Sequence, residues 1–427
     1  MIKKPFFGLT GPRLSYAGMK DVGLDIREIP LPGRIRISAK IEGHTPPGLA
    51  IKKGEKVRTG QRLRLFGDTD AYMTATATGV ISDVSIDPEG SGGTVVSVCI
   101  ETGDRDFWDP EFEKAGITAD APEALSFLSG LPGITDLIPL TRKTVPLDTI
   151  LVSGFDQDLL VATNQLSLKT GAVHLAEGID ALKKMTGVGN VIMAVPPSLR
   201  AEAEAGGTDV RVMNPPYPYA RPSLLVRAVK GSTGRGADTS GRSKTGVVCA
   251  GSLVALGQTF SDKRPPVSRL LTVIDKENRS IGVRARIGTP VGHILETLGI
   301  LVSEGDRLAF GGPMTGRGIY SVDTPIGPDT DAVMVQDRTQ VISPSNDPCV
   351  NCGECVRACP ARLPVNMLIR LLENGLYEEA ARQYDLLSCV ECGLCSYVCI
   401  MHIPVFHYIM LGKHELASSG YLEAFNG

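Results

Sequence analysis

Aromatic residues are scarce, 5% of the chain with a single Trp, and neither sign of charge prevails, since 44 Lys and Arg stand against 47 Asp and Glu for a net charge of -3. A nucleic-acid surface needs a basic stripe, and a single-strand platform needs stacked aromatics. Neither is present, so nucleic acid is not an expected partner. Long apolar runs are missing too. The longest, around Gly246 to Leu256, contains Gly and Ser and falls short of the ~20 residues that a membrane span requires. No transmembrane segment is expected. Before Cys349, cysteine occurs only at Cys99 and Cys249, both in apolar, strand-like stretches where thiols are packed rather than reactive. No N-terminal secretory signal stands out, which points to a reducing compartment and away from a disulfide scaffold.

What is present is concentrated near the C-terminus. Two runs, CVNCGECVRACP at Cys349 to Pro360 and CVECGLCSYVC at Cys389 to Cys399, each read C-x-x-C-x-x-C-x-x-x-C. Three thiolates at that spacing can wrap three irons of one cube, while the fourth reaches a neighbouring cluster. The pattern predicts two [4Fe-4S] clusters. On the bacterial two-cluster arrangement, Cys349, Cys352 and Cys355 share one cluster with Cys399, and Cys389, Cys392 and Cys395 share the other with Cys359. The alternative is structural zinc, which needs two C-x-x-C pairs rather than two quartets. Ile400 follows the last cysteine where Pro360 follows the first fourth ligand.

A chain of 427 residues exceeds what one hydrophobic core holds, so several domains are expected. Residues 1–105 alternate short apolar-polar strands with Gly and Pro turns. The stretch from Gly43 to Ser85 resembles a lipoyl-type barrel-sandwich hybrid, but the hairpin tip that would carry a modifiable lysine has Asp70 and Ala71. A docking role follows rather than a swinging arm. Residues 106–260 read as a Rossmann-like α/β layer, with a strand in DTILVSG (Asp148 to Gly154), a helix in His174 to Gly187 and a strand in Asn190 to Pro196. Lys230 to Lys244 is rich in Gly and Ser and reads as a surface linker, since a phosphate-binding loop would stand between a strand and a helix. Residues 261–335 resemble a soluble-ligand-binding β-grasp (SLBB) unit, with a helix in Arg286 to Gly299 and a glycine turn at Phe310 to Gly316. Residues 336–427 form a helical dicluster domain, whose apolar stripe at Leu368, Leu371 and Leu372 reads as an ordinary core face. The fold class is therefore multidomain, α/β plus α+β.

That order of parts, together with KKPFFGLTGPRL at the start, GTPVGHILE and GGPMTG in the β-grasp unit and CSYVCIMHIPVFHYI near the end, resembles the C subunit of the Rnf ferredoxin:NAD oxidoreductase over nearly the whole chain. The resemblance implies a peripheral subunit on the cytoplasmic face of the bacterial inner membrane. Its implied partners are the other Rnf-type membrane and iron-sulfur subunits, with ferredoxin engaged indirectly, and the complex couples electron transfer to ion translocation. It also implies FMN and NAD(H) in the α/β layer.

Here the chain departs from the family. The family's G-L-G-G-A-G-F-P turn is replaced by SGLPGITDLIP, with Pro132 and Ile134 where backbone approaches the flavin; N-G-A-E-C-E-P-Y becomes Ser153 to Leu160; Y-P-Q-G-G-E-K becomes Tyr217 to Ser223. Proline removes an N–H donor, and side chains add bulk where glycine allows close approach. In the region of the flavin site, Gly130, Gly133, Asp156 and Asp158 remain as candidate nucleotide-binding residues. No catalytic residue is assigned. The favoured reading is an iron-sulfur electron-transfer subunit whose nucleotide site has degenerated. An NADH-oxidising flavoprotein subunit is the alternative, and an adaptor with structural clusters is a third.

Overall fold

The computed structural model describes residues 12–19, 23, 25–41, 48–67, 71–88, 93–114, 131–141, 146–231 and 244–421. Gly130, Asp70 and most of the Gly/Ser-rich stretch after Lys230 lie outside them. Among the described residues the chain folds as a mixed α/β, multidomain protein. An antiparallel sheet near the N-terminus has the strand order Arg34–Ile41, Thr94–Thr102, Gly79–Pro88, Lys56–Val57, beside a two-stranded ladder of Arg62–Arg64 and Tyr72–Thr74. In Arg34–Ile41 the arginines and Ser38 face out while Ile35 and Ile37 point inward, so one face of the sheet buries Ile35, Ile37, Val96, Val98 and Ile100 against Leu65 and Phe66.

The α/β layer is a four-stranded parallel sheet in the order Asp209–Val212, Val191–Val195, Thr149–Ser153, Thr245–Cys249. Every residue of Thr149–Ser153 is buried, as befits a central parallel strand covered on both faces. The expected helix is Leu175–Thr186, entered through a short 3-10 turn and ended by Gly187 in the left-handed conformation. Its apolar face, Leu175, Ile179, Leu182 and Met185, packs with Leu253 and Leu256 of the helix Ala250–Asp262. The strand order places a switch point between Thr149–Ser153 and Thr245–Cys249. Ligands of open α/β sheets bind outside the carboxyl ends of the strands at such a point.

A third sheet holds Ser280–Arg286, Ser268–Ile274, Ala332–Gln336, Arg307–Phe310 and Arg317–Ile319, with the helix Val291–Thr297 against its core. Its edge is completed by a strand distant in sequence, Arg27–Glu28, which pairs in parallel with Val283 and Arg284. Residues 12–19 and 25–29 therefore lie against two other units rather than in the N-terminal sheet. The Leu14 carbonyl accepts from the Tyr217 N–H at 3.0 Å and Ile29 N donates to Arg284 O at 2.9 Å. The chain then ends in short helices, including Val365–Leu372, Tyr377–Tyr384 and Val405–Ser418, around a core of Leu368, Ile369, Leu372, Leu386 and Ile409.

Candidate iron-sulfur and nucleotide sites

The two cysteine runs adopt the same backbone twice. Asn351 and Glu391 have φ of 56° and 57°, Gly353 and Gly393 of 75° and 72°, and Arg362 and His402 of 58° and 54°. Each glycine opens a short helix, Glu354–Ala358 in the first run and Leu394–Tyr397 in the second. The left-handed residues turn each loop back on itself at matching positions. Those short helices pack on each other, which brings the fourth cysteine of each run to the other run's loop.

Cys349, Cys352, Cys355 and Cys399 line one cavity together with Ile369, Ile400, Met401, Ile403 and Val405. Burial and the neighbouring thiols of Cys349 and Cys352 push Cys355 up to about 11. On the other side, burial raises Cys392 to about 11, with Cys389 and Cys359 acting on it electrostatically, and Cys395 is raised further by burial beside Cys389 and Cys392. Backbone N–H groups of Leu363 and Glu391 donate to the sulfurs of Cys359 and Cys389, both at 3.4 Å. Four thiols in an apolar setting with N–H donors on sulfur fit a cluster held by cysteine. Among the described residues no three His, Cys, Asp or Glu side chains converge tightly enough for a single metal ion. Cys99 is buried in its strand and Cys249 closes another, apart from both quartets.

The switch point carries a cleft of about 160 Å³ lined by Gly133, Asp136, Phe155, Asp156, Asn164, Cys249, Ser252, Arg269, Asp329 and Asp331, among others. Small-molecule pockets run roughly 300–1,000 Å³. Four carboxylates face one guanidinium, and that guanidinium is already engaged, since Arg269 Nη2 donates to Asp331 at 2.6 Å. Asp156 is buried and sits at the start of the helix Thr163–Gly171, where its carboxylate accepts from Asn164 N at 2.8 Å and from Gln165 Nε2 at 3.1 Å. A carboxylate thus occupies the helix N-terminus, the position a phosphate prefers. Burial pushes the Asp156 carboxyl up to about 6, and burial also raises Asp136, whose Oδ2 accepts from Cys249 N at 2.8 Å while its Oδ1 is a buried oxygen without a partner. An acidic, narrow cleft with its helix N-terminus filled is a poor fit for a flavin phosphate or a dinucleotide.

The sequence-derived candidates distribute unevenly around this cleft. Gly133 and Asp156 line it. Asp158 turns the other way, accepting from Thr315 N at 2.8 Å, Thr315 Oγ1 at 2.7 Å, Met314 N at 3.1 Å and Leu159 N at 2.7 Å. It clamps the glycine turn of the third sheet. The steric argument through Ile134 is corrected as well: its side chain is fully buried with Leu131 and Leu137 in the core of the α/β layer and adds no bulk to the cleft. Phe155 does line the cleft.

The residue types in two of the quoted segments did not reveal the contacts that join them. Tyr217, 3% exposed, donates its hydroxyl to the Cys392 carbonyl at 2.5 Å, and Tyr16 packs against it with ring centroids 5.3 Å apart. At Gly393 a Cβ would lie 2.2 Å from the Met314 carbonyl oxygen, so only glycine lets the second cysteine loop meet the turn that Asp158 clamps.

Residues 342–400 match the 4Fe-4S dicluster domain family. The chain is 27% identical over 428 aligned positions to the C subunit of the proton-translocating ferredoxin:NAD(+) oxidoreductase complex of Clostridium ljungdahlii, covering 92% of this chain and 90% of that one. Along most of its length it is similar to such C subunits. The C subunit of an ion-translocating oxidoreductase complex from Rhodobacter capsulatus is 26% identical, over 84% of this chain and 73% of its own length. An NAD+-reducing [NiFe]-hydrogenase structure in the H2-reduced state superposes with a TM-score of 0.46 at 15% identity, covering 73% of this chain and 68% of that one. The sequence likeness to the C subunits thus spans the sheets as well as the cysteine runs.

Proposed function

We propose that this chain is the iron-sulfur electron-transfer subunit of an ion-translocating ferredoxin:NAD oxidoreductase of the Rnf type. The observation that carries the reading is the interleaving of two cysteine quartets, Cys349, Cys352, Cys355 with Cys399, and Cys389, Cys392, Cys395 with Cys359, within a chain similar to the C subunits of such complexes. Bound there, two [4Fe-4S] centres supply one-electron storage. The chain's own contribution is to set the thiols against apolar side chains, to present N–H donors to sulfur and to hold the two loops against each other. The four units are a barrel-sandwich docking domain, a Rossmann-like layer, an SLBB-type β-grasp unit and the dicluster domain.

In this reading the α/β layer serves assembly, and electrons enter and leave through partner subunits rather than through FMN and NADH. The acidic cleft and the carboxylate of Asp156 at the helix N-terminus support that division. No helix among the described residues is long and apolar enough to cross a membrane, which accords with peripheral attachment, placed here on the cytoplasmic face.

The deciding experiment is a cofactor inventory of the anaerobically purified chain. Iron and acid-labile sulfide for two cubes, no flavin, and cluster absorbance that bleaches with dithionite but not with NADH are expected. Stoichiometric flavin reduced by NADH would overturn the reading and install the flavoprotein alternative. Iron centres that refuse reversible reduction would leave the chain an adaptor.

A further inference from the structure

Arg221 precedes the helix Pro222–Lys230, with its backbone carbonyl accepting from Leu224 N and Leu225 N at 3.0 and 2.8 Å. Its side chain runs inward. Nε and Nη2 are buried, and neither has a hydrogen-bond partner among the described residues. The guanidinium acts electrostatically on the Tyr217 hydroxyl, which in turn donates to the Cys392 carbonyl. Arg221 lies near enough to act electrostatically on the thiol of Cys392 itself.

A buried guanidinium with idle donors is costly, because its desolvation is offset only by hydrogen bonds or an opposite charge. Asp158, the carboxylate that acts on Tyr217 alongside Arg221, accepts no hydrogen bond from the Arg221 Nε or Nη2. Asp158 accepts four hydrogen bonds from its own neighbour and the Met314–Thr315 turn. The other cation beside this cysteine loop, Lys413, is neutralised, donating to Glu391 at 2.7 Å and to the Cys389 carbonyl at 2.8 Å. What lies within electrostatic reach of Arg221 is Cys392, a member of the second quartet, and a cube held by thiolates carries net negative charge that deepens when it gains an electron.

We propose that Arg221 is a tuning residue for the iron-sulfur centre at Cys389, Cys392, Cys395 and Cys359, where its charge and unsatisfied N–H donors favour the reduced state and raise that centre's potential above its value without the guanidinium. The inference rests on the electron-transfer reading above. The electron comes from whatever reductant loads the protein, dithionite in the test below, and one electron enters the cube with no bond made or broken. The cubes differ in this respect, because Arg357, beside the first loop, is paired with Glu354 at 2.6 Å.

The test is an EPR-monitored redox titration of the full-length, anaerobically purified protein, as wild type, Arg221→Gln, Arg221→Met and Arg221→Lys, each assayed for iron and sulfide. In the Gln and Met variants one of the two centres should become harder to reduce by about tenfold, equivalent to about 59 mV for a one-electron couple, while the other stays put. The Lys variant, which keeps the charge, should fall between them and wild type. Two unmoved potentials in a fully loaded Gln or Met variant would overturn the proposal, as would a Lys variant shifted as far as Gln. Should Gln or Met lose the centre, the Lys variant decides, since a wild-type potential there supports the charge and a full shift refutes it. A wild type without reducible centres is a different failure, that of the electron-transfer reading.

Discussion

The Tyr217 hydroxyl donates to the backbone carbonyl of Cys392 across a sequence separation of 175 residues. Through this bond the α/β layer grips the second cysteine loop at one of its ligands. Tyr217→Phe would leave a buried carbonyl without its donor, at a cost of about 1–3 kcal/mol. We expect a lowered midpoint of unfolding with the iron content of the freshly purified protein intact. An unchanged midpoint would show that the bond contributes nothing to holding the units together.

The interleaved quartets give a second prediction. Cys359→Ala should deplete the centre held mainly by Cys389, Cys392 and Cys395, and Cys399→Ala the centre held by Cys349, Cys352 and Cys355. Iron content and the EPR of the remaining centre report the outcome. Damage confined to the run that carries each substitution would refute the crossed arrangement.

Gly393→Ala tests the contact between the cysteine loop and the clamped turn. The new methyl would sit 2.2 Å from the Met314 carbonyl oxygen at a residue with φ of 72°. Left-handed strain and overpacking together come to about 2–4 kcal/mol. The second centre should be lost before the first. Equal stability of both centres in the variant, followed by oxygen-induced bleaching, would argue against it.

Asp156 yields a pH dependence. Its carboxyl is raised by burial from the ordinary 3.8 to about 6 in the folded chain, so the folded state holds the proton more tightly than the unfolded state does. The resulting stability is complete below the unfolded value, falls as pH rises and is gone above about pH 6. Its size is about 3 kcal/mol at most. Asp156→Asn removes the titration, so wild type should lose stability relative to the variant between about pH 4 and 6.5 in parallel melts. Curves that keep a constant separation over that range would refute the assignment.

Local spacing made much of this legible. The thiols of Cys349 to Cys359 and Cys389 to Cys399 repeat at intervals that state their chemistry, and the apolar residues of Thr149–Ser153 and Leu175–Thr186 announce their elements through periodicity. What stayed hidden depends on partners far along the chain. Asp158 looks like a remnant of a nucleotide site, yet its partners are Met314 and Thr315. Ile134 looks like bulk in a cleft, yet its side chain faces the core. Arg221 falls in the Tyr217 to Ser223 segment read for a nucleotide contact, and its meaning comes instead from Tyr217 and Cys392 beside it. Which way a side chain points in an irregular turn is settled by packing, and no periodicity encodes that.

The contacts of residues 12–19 and 25–29 bear on how the protein is made. These residues are made before their mates: Ala17 before Gln165, Tyr16 before Ala220, and Ile29 before Arg284. Synthesis therefore releases this strap before the surfaces it fastens to exist. Its contacts with the α/β layer and the third sheet can form only after both have been synthesised, which makes its closure a late event in maturation.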